Sequence, residues 1–483
     1  MSFALLRAAP RADVVTEWNE LLLVALRAEN TAPTGASRTV AIVQAAVYDA
    51  VNSILRTHEP YRFQVPAAPD ALPEAAALAA AYQTMIVLCP TMRGVFDAAY
   101  ARGLAALPEG PGREDGLRVG REVAILMLEW RNADGATTQV PYIPSTAPGA
   151  WRRTPPDFRP PLDPHWRYVK PFAIPSTAYF PVPPPPALDS AEYAAAFEEV
   201  RQVGARVSAT RTSDQTEIGK FWAYDRSGMG PVLILYNNVL RQIAERQGNS
   251  LSDNARLFAL VNLAHGDACI VCWEAKYRYN FWRPVTAIPV AATDGNPATA
   301  ADPAWEPLGV PGSVHQPNFT PNFPSYPSGH AIHGSALFRM LQRFYGRDDI
   351  AFSATSEEVP GAVRHYTRLS QADEENALAR VYLGVHWVFD QRAAQVSGWA
   401  LADYIFENWL RPVAAVPHLG RPLPLPDGSR AVRLSSPPGI RWLLKVSEDL
   451  RSWHEVFTET GSFTFLDTAP SPSARFYRAV RIE

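Results

Sequence analysis

The chain has 483 residues, with 45 basic against 48 acidic side chains, a formal net charge of -3 and 47% hydrophobic residues. That length accommodates two or three subdomains around a substantial core. A balance this close to neutral supplies no global field to draw nucleic-acid phosphates, so non-specific nucleic-acid binding is excluded and any anion site must be a local cluster of cations.

Met1 to Arg11 carries two arginines, Arg7 and Arg11, without a full apolar stretch, so it is not a complete signal peptide; the compartment is left open, with secretion or a periplasmic location compatible. Val14 to Ala28 repeats apolar residues at helical spacing (Leu21, Leu22, Ala25, Leu26), and Thr39 to Leu55 is apolar almost throughout, as a central core helix is. Further helical patterns cover 72–88, 90–106 and 113–131. Residues 139–187 are rich in proline and end in Pro183 to Pro186. Proline fixes φ and lacks the amide donor, so this stretch is predicted to be a long extended loop that packs as a lid or brace between two helical halves.

Helices resume over Ser190–Gly204 (stripe Tyr193, Phe197, Val200), and from the Thr212/Gln215 capping-box pair toward Trp222. They continue over Pro231–Gln247 and Ser252–Trp282, the last ending at Arg283-Pro284. A loop over 285–327 precedes helices at 328–345, 371–382 and 386–409. Pro412 to Gly428 reads as a linker. The tail alternates in the strand manner at Arg441–Val446, Ser462–Phe465 and Arg475–Val480. The expected organisation is an N-terminal helical half with its connecting loop (1–186), a second helical half with the site (187–411), a linker (412–429) and a small β-domain (430–483). No run reaches the roughly 18 apolar residues of a membrane span. Three cysteines, Cys89, Cys269 and Cys272, make no disulfide framework.

Three segments carry chemistry. In the first, Lys276 and Arg283 are seven apart, which on a continuous helix puts both cations on one face as a clamp for a multiply charged oxyanion. Cys269, Cys272 and Trp273 share that stripe, so it faces inward. In the second, Pro327-Ser328-Gly329-His330 opens a helix: Ser328 caps it, Gly329 allows close backbone approach, and the first-turn amides favour an anion. His330 lies in that turn. In the third, Arg380 precedes His386 and Asp390, which are four apart. A carboxylate there fixes one imidazole tautomer and leaves the other nitrogen for a nucleophilic or metal-ligand role, and Gly384 breaks the helix so that Arg380 and His386 turn to one point.

In order, these segments give Lys-x6-Arg-Pro, Pro-Ser-Gly-His and Arg-x5-His-x3-Asp. The chain resembles the vanadium-dependent haloperoxidases, chloroperoxidase type, within the type 2 phosphatidic acid phosphatase superfamily. The residue before Arg380 is Ala379, where the family often has serine. Phe221 to Asp225 is similar to the chloroperoxidase segment that sets a carboxylate, here Asp225, near the acid–base histidine. Trp273 and Phe323 match its aromatic halide-side positions. The likeness covers about 12–411; the tail is similar to small C-terminal modules on secreted proteins of some environmental bacteria.

The resemblance implies a mainly α fold of two helical bundles, with the β-module appended. It implies vanadate as cofactor, held through its oxygens by Lys276, Arg283, Ser328, Gly329 and Arg380, and bound to the metal by His386 with Asp390 in support. It implies His330, Lys276 and Asp225 as the catalytic groups, Trp273 and Phe323 as the halide pocket, and hydrogen peroxide, a halide (bromide, with chloride next) and an organic acceptor as partners. The same motifs suit an acid phosphatase in which His386 attacks phosphorus, and the tail also admits a surface-binding protein with an inactive site. Oligomeric state is not encoded in any of these patterns. Cys269, Cys272 and His265 have zinc-like spacing but no second ligand pair, and read as small core residues. His333, one turn after His330, reads either as a pocket residue or as an ordinary helix residue. Trp442 and Trp453 read as core of the small sheet.

Overall fold

The computed structural model describes residues 13–226, 228–313 and 315–413, and in the tail 418–420, 422–425, 427–436, 440–461, 463–468 and 475–482. The Met1–Arg11 segment, Ser462 and part of the proline-rich linker lie outside the described residues. The first half consists of α1 (Val14–Ala28), α2 (Pro33–Leu55), α3 (Pro73–Leu88), α4 (Arg93–Ala106) and α5 (Pro111–Arg131). After the long loop come α6 (Ala191–Val203), α7 (Ser213–Phe221), α8 (Leu233–Gln247), α9 (Leu251–Tyr279) and the short α10 (Pro284–Ala287). Then follow α11 (Gly329–Tyr345), a hairpin of β1 (Phe352–Thr355) and β2 (Val363–Tyr366), α12 (Leu369–Tyr382) and α13 (Val388–Asn408).

Local chemistry sets most of these starts. Asp13, Thr212 and Ser250 cap α1, α7 and α9 through side chains that accept third-residue amides. α2 begins at Pro33, six residues before the predicted start, with proline at the first turn where no amide donor is needed. α9 stops at Tyr279, short of the predicted Trp282, because Asn280 adopts the left-handed conformation (φ 52°).

α9 organises the molecule. It packs on α2 on one side and on α11 and α13 on the other, while α3 and α5 complete the first bundle and α12 the second. By length and hydropathy α9 could cross a membrane, but it is almost wholly buried inside the protein; an all-round apolar helix of this kind is a core element. The hairpin β1–β2, paired from Phe352↔Tyr366 to Thr355↔Val363, was not anticipated, since four-residue strands give little alternation to read.

The proline-rich loop is a brace. Beyond two short 3₁₀ segments it has no regular element, yet it is pinned to the helices at Phe172–Ile174. The Asp267 carboxylate, buried in α9, accepts the amides of Phe172, Ala173 and Ile174 at 2.6, 2.8 and 2.8 Å. In the separate connection between α2 and α3, Asp49 of α2 accepts the amides of Tyr61, Arg62 and Phe63 at 2.6, 2.9 and 2.8 Å. Asp267→Ala strands three amides at once. At about 1–3 kcal/mol per buried unsatisfied donor, partly relieved by water, it is expected to destabilise the protein by about 3 kcal/mol or more, read as a lowered denaturant midpoint. An unchanged midpoint would show that the loop is not held this way.

In the tail, β5 (Arg430–Ser435) pairs antiparallel with β8 (Phe463–Asp467) and with two-residue strands β3 (His418–Leu419) and β4 (Leu423–Pro424) from the expected linker. β6 (Arg441–Ser447) lies between β7 (His454–Thr460) and β9 (Phe476–Ile482). Trp442 is buried in this unit and donates to Ser436 Oγ at 2.6 Å. The tail rests on the helical part: Arg433 pairs with Glu59 at 2.8 Å and lies over the Trp409 ring.

Candidate active site

α9, the loop before α11, the start of α11 and the α12–α13 junction bring the three motif segments to one small buried cavity. Asp225, Trp273, Phe323, Gly329, His330, Arg380 and His386 line it, and its volume is ≈ 20 Å³. A cavity of ≈ 880 Å³ between the end of α13 and the tail contains none of these groups, so chemistry and size point to different places; the charged residues decide for the small one.

Lys276 and Arg283 are both buried, but not on one helical face as the spacing implies. α9 has ended before Arg283, which stands in extended conformation just before α10 (φ -91°, ψ 152°). The left-handed turn at Asn280, rather than helical periodicity, returns it toward Lys276. Lys276 Nζ donates to the carbonyls of Pro324, Ser325 and Pro327 at 2.8, 2.8 and 2.6 Å, so all three ammonium donors have backbone partners. Burial pushes this ammonium down to about 7. Arg283 donates from Nε to Phe323 O (3.0 Å) and from Nη1 to Val385 O (2.7 Å), while Nη2 is buried without a protein partner. Burial lowers this guanidinium to about 9. Phe323 does more than line the cavity: its ring lies 5.0 Å from Lys276 Nζ, 4.9 Å from Arg283 Cζ and 5.2 Å from the Trp273 ring.

Ser328 caps α11, its Oγ accepting from the Ala331 amide at 3.4 Å, and its own amide donates to Asp390 O at 3.0 Å. A Cβ placed on Gly329 would meet nothing closer than Trp273 at 3.9 Å, so no protein neighbour requires glycine there and the open space lies on the cavity side.

His330 Nε2 sits 2.9 Å from the Ala223 carbonyl and 3.8 Å from Asp225 Oδ2. A carbonyl can only accept, so this nitrogen carries the proton. Burial first, and Arg380 second, keep the ring neutral, well below the ordinary histidine range. Arg380 donates to the same carbonyl (3.0 Å) and to Asp225 Oδ2 (3.4 Å), while its Nε is buried without a partner. Burial raises the Asp225 carboxyl against the pull of Arg380. Tyr224 and Asp225 both hold positive φ (44° and 78°), a strained pair that sets this carboxylate between Arg380 and His330.

His386 and Asp390 do not share a helical turn as expected. His386 precedes the cap of α13, and Asp390 is in its first turn, where Oδ2 accepts from the Trp387 amide at 3.1 Å. The same oxygen meets His386 Nδ1 at 2.7 Å and accepts from Ser325 Oγ. The carboxylate therefore holds Nδ1–H and leaves Nε2 with the lone pair. Burial, then Arg283, Lys276 and Arg380, keep His386 neutral. Gly384 (φ 69°) ends α12 as expected, and a Cβ there would stand 2.3 Å from the Gly204 carbonyl.

Reading the sequence missed Ser325, which sits in no motif, and the Ala223 carbonyl, a backbone atom inside the Phe221–Asp225 segment. Cys269 and Cys272 are buried free thiols, and no cluster of three or more histidine, cysteine or acidic side chains fit for a metal occurs among the described residues. His265 is a core residue bonded to Asn262 and to the His333 carbonyl.

The chain is mainly helical and shares its fold with solved vanadium-dependent haloperoxidases. Residues 256–418 match the family described as the VCPO second helical-bundle domain. The chain is similar to the vanadium chloroperoxidase of Curvularia inaequalis, with 32% identity over 369 residues; the match spans 61% of this chain and 60% of that protein's length. Among solved structures, a bacterial vanadium-dependent iodoperoxidase superposes with a TM-score of 0.71 at 23% identity, over 84% of this chain and 99% of the other. A bacterial vanadium-dependent chloroperoxidase in its holo form gives 0.61 at 17% identity, over 83% and 94% of the two chains.

Proposed function

We propose that the chain is a vanadate-dependent haloperoxidase, oxidising halide with hydrogen peroxide to hypohalous acid. The observation that carries this reading is the pair of buried guanidinium nitrogens without protein partners, Arg283 Nη2 and Arg380 Nε, beside the neutral His386. Buried cations with unused donors are costly unless an anion meets them, and guanidinium donors suit oxyanion geometry. Vanadate fits this donor set: Arg283, Arg380, the Ser328 hydroxyl and the Gly329 amide would hold its oxygens, with Lys276 joining by exchanging a carbonyl partner, and His386 Nε2 would be the metal ligand. When bound, it supplies a Lewis acid that activates peroxide.

The remaining roles belong to the protein. Asp390 and Ser325 fix the His386 tautomer. His330 keeps its proton on Nε2 against Ala223, so Nδ1 is the nitrogen that accepts a proton from an incoming reagent and returns it. Asp225 restrains Arg380 and lies within reach of the His330 ring. Trp273, whose indole donates to Leu162 O at 3.2 Å, and Phe323 present dry aromatic surface where a halide is poorly solvated and more reactive. The test is peroxide-dependent oxidation of bromide, chloride and iodide by the protein reconstituted with orthovanadate. Bromide turnover that Phe323→Ala weakens supports the assignment; no oxidation of any halide overturns it.

Lys276 makes the oxyanion affinity depend on pH. Its folded pKa, about 7, lies below the unfolded value, so above that pH the folded protein lacks a proton that anion pairing requires. Binding of sulfate, which does not titrate in this range, should take up close to one proton at about pH 8.5 and almost none at about pH 6, and weaken by up to about tenfold per unit above pH 7. Calorimetry in buffers of different ionisation enthalpy reads the uptake, and Lys276→Met should remove the larger part of it, leaving only the small share of Arg283. Uptake undiminished by the substitution would place the titrating group elsewhere.

A further inference from the structure

His333 is a second imidazole on the wall of this cavity, and no role above uses it. It is 3% exposed, one turn along α11 from Gly329. Its Nδ1 lies 2.7 Å from the Gly329 carbonyl, which can only accept, so the ring proton is on Nδ1. Nε2 therefore carries a lone pair, and it is buried without a protein partner. Burial pushes protonation of the ring down to about 4, against the Gly329 and His265 backbones, which favour the charged form. Behind it, His265 Nε2 meets the His333 carbonyl at 3.2 Å, so the helix turn is fixed from both sides.

A buried acceptor without a donor selects what can enter. Arg380, on the same wall, draws oxygen atoms and anions, while His333 Nε2 adds an acceptor without a donor. The rest of that wall, Val232, Leu233, Trp273 and Phe323, is largely apolar. A small molecule that offers an O–H donor at one end and an oxygen acceptor at the other satisfies both sides, and hydrogen peroxide has that form. We infer that His333 Nε2 accepts a hydrogen bond from hydrogen peroxide and orients it in the cavity, so that His333 is a peroxide-binding residue distinct from the halide surface of Trp273 and Phe323. This inference rests on the peroxide chemistry proposed above.

The test separates the two. In the reconstituted enzyme, His333→Phe should raise the KM for peroxide about fivefold to tenfold, the loss of one hydrogen bond, and leave the KM for halide unchanged. His333→Gln, which keeps an acceptor, should recover much of it, and equal thermal midpoints would exclude a folding defect. A change in halide KM with peroxide KM unaltered overturns the inference. A second arm needs no vanadate and no turnover. In metal-free protein labelled with nitrogen-15 histidine, the His333 Nε2 resonance should show the unprotonated form and shift on adding millimolar peroxide. A protonated Nε2, or no shift, overturns the inference even if the enzyme oxidises halide. A shift in a protein that oxidises no halide would leave the peroxide site standing and sink only the reading it rests on.

Discussion

His386→Ala is expected to lower vanadate-supported halide oxidation by at least about 100-fold, because even partners that merely orient a metal-bound histidine are worth 10–100-fold. The imidazole is poised for one task. Burial and three neighbouring cations keep it neutral, Asp390 Oδ2 holds Nδ1–H at 2.7 Å, and Nε2 keeps the lone pair. Asp390→Asn tests the positioning separately. It leaves the imidazole in place but weakens the hold on its tautomer, so vanadate affinity should fall by about 10–100-fold, with less loss of turnover at saturating vanadate. Activity and equilibrium dialysis of vanadate read both. Equal activity and affinity in His386→Ala would remove this residue from the site.

Arg283→Met should weaken oxyanion binding by about 100-fold, the loss of charge-assisted hydrogen bonds worth about 2–3 kcal/mol. Its effect on stability should be much smaller. The guanidinium donates to Phe323 O and Val385 O, and losing those bonds destabilises. The change also removes a desolvated cation whose Nη2 has no partner, which offsets that loss. A nearly isosteric apolar side chain therefore separates binding from folding. Sulfate or vanadate titration against the denaturant midpoint reads the two. A large fall in stability with affinity unchanged would make Arg283 a structural residue.

Part of this candidate site was legible in the sequence because its chemistry is local. Ser328 before an apolar helix and Gly384 between Arg380 and His386 each depend on the few residues around them, whereas His386 meets Asp390 across the cap of α13 and not along a helical turn. What could not be read depends on distant segments. The stop of α9 turned on the conformation of Asn280, so Lys276 and Arg283 meet across a turn instead of along a helix. The three carbonyls around Lys276 come from 48 to 51 residues away, and Ser325 reaches Asp390 across 65. The proline composition of 139–187 announced a loop, but only the structure shows that Asp267 pins it. His333 could be read either way until its bond to Gly329 fixed the tautomer.

The most direct measurement is a titration of metal-free protein with orthovanadate, following peroxide-dependent bromide oxidation and phosphomonoester hydrolysis in the same preparation. Bromide oxidation that rises from nothing and saturates at one vanadate per chain is the predicted result. Hydrolysis present without vanadate and only inhibited by it, with no halide oxidised, would contradict the account and make the same residues a phosphoryl-transfer site with His386 as the nucleophile.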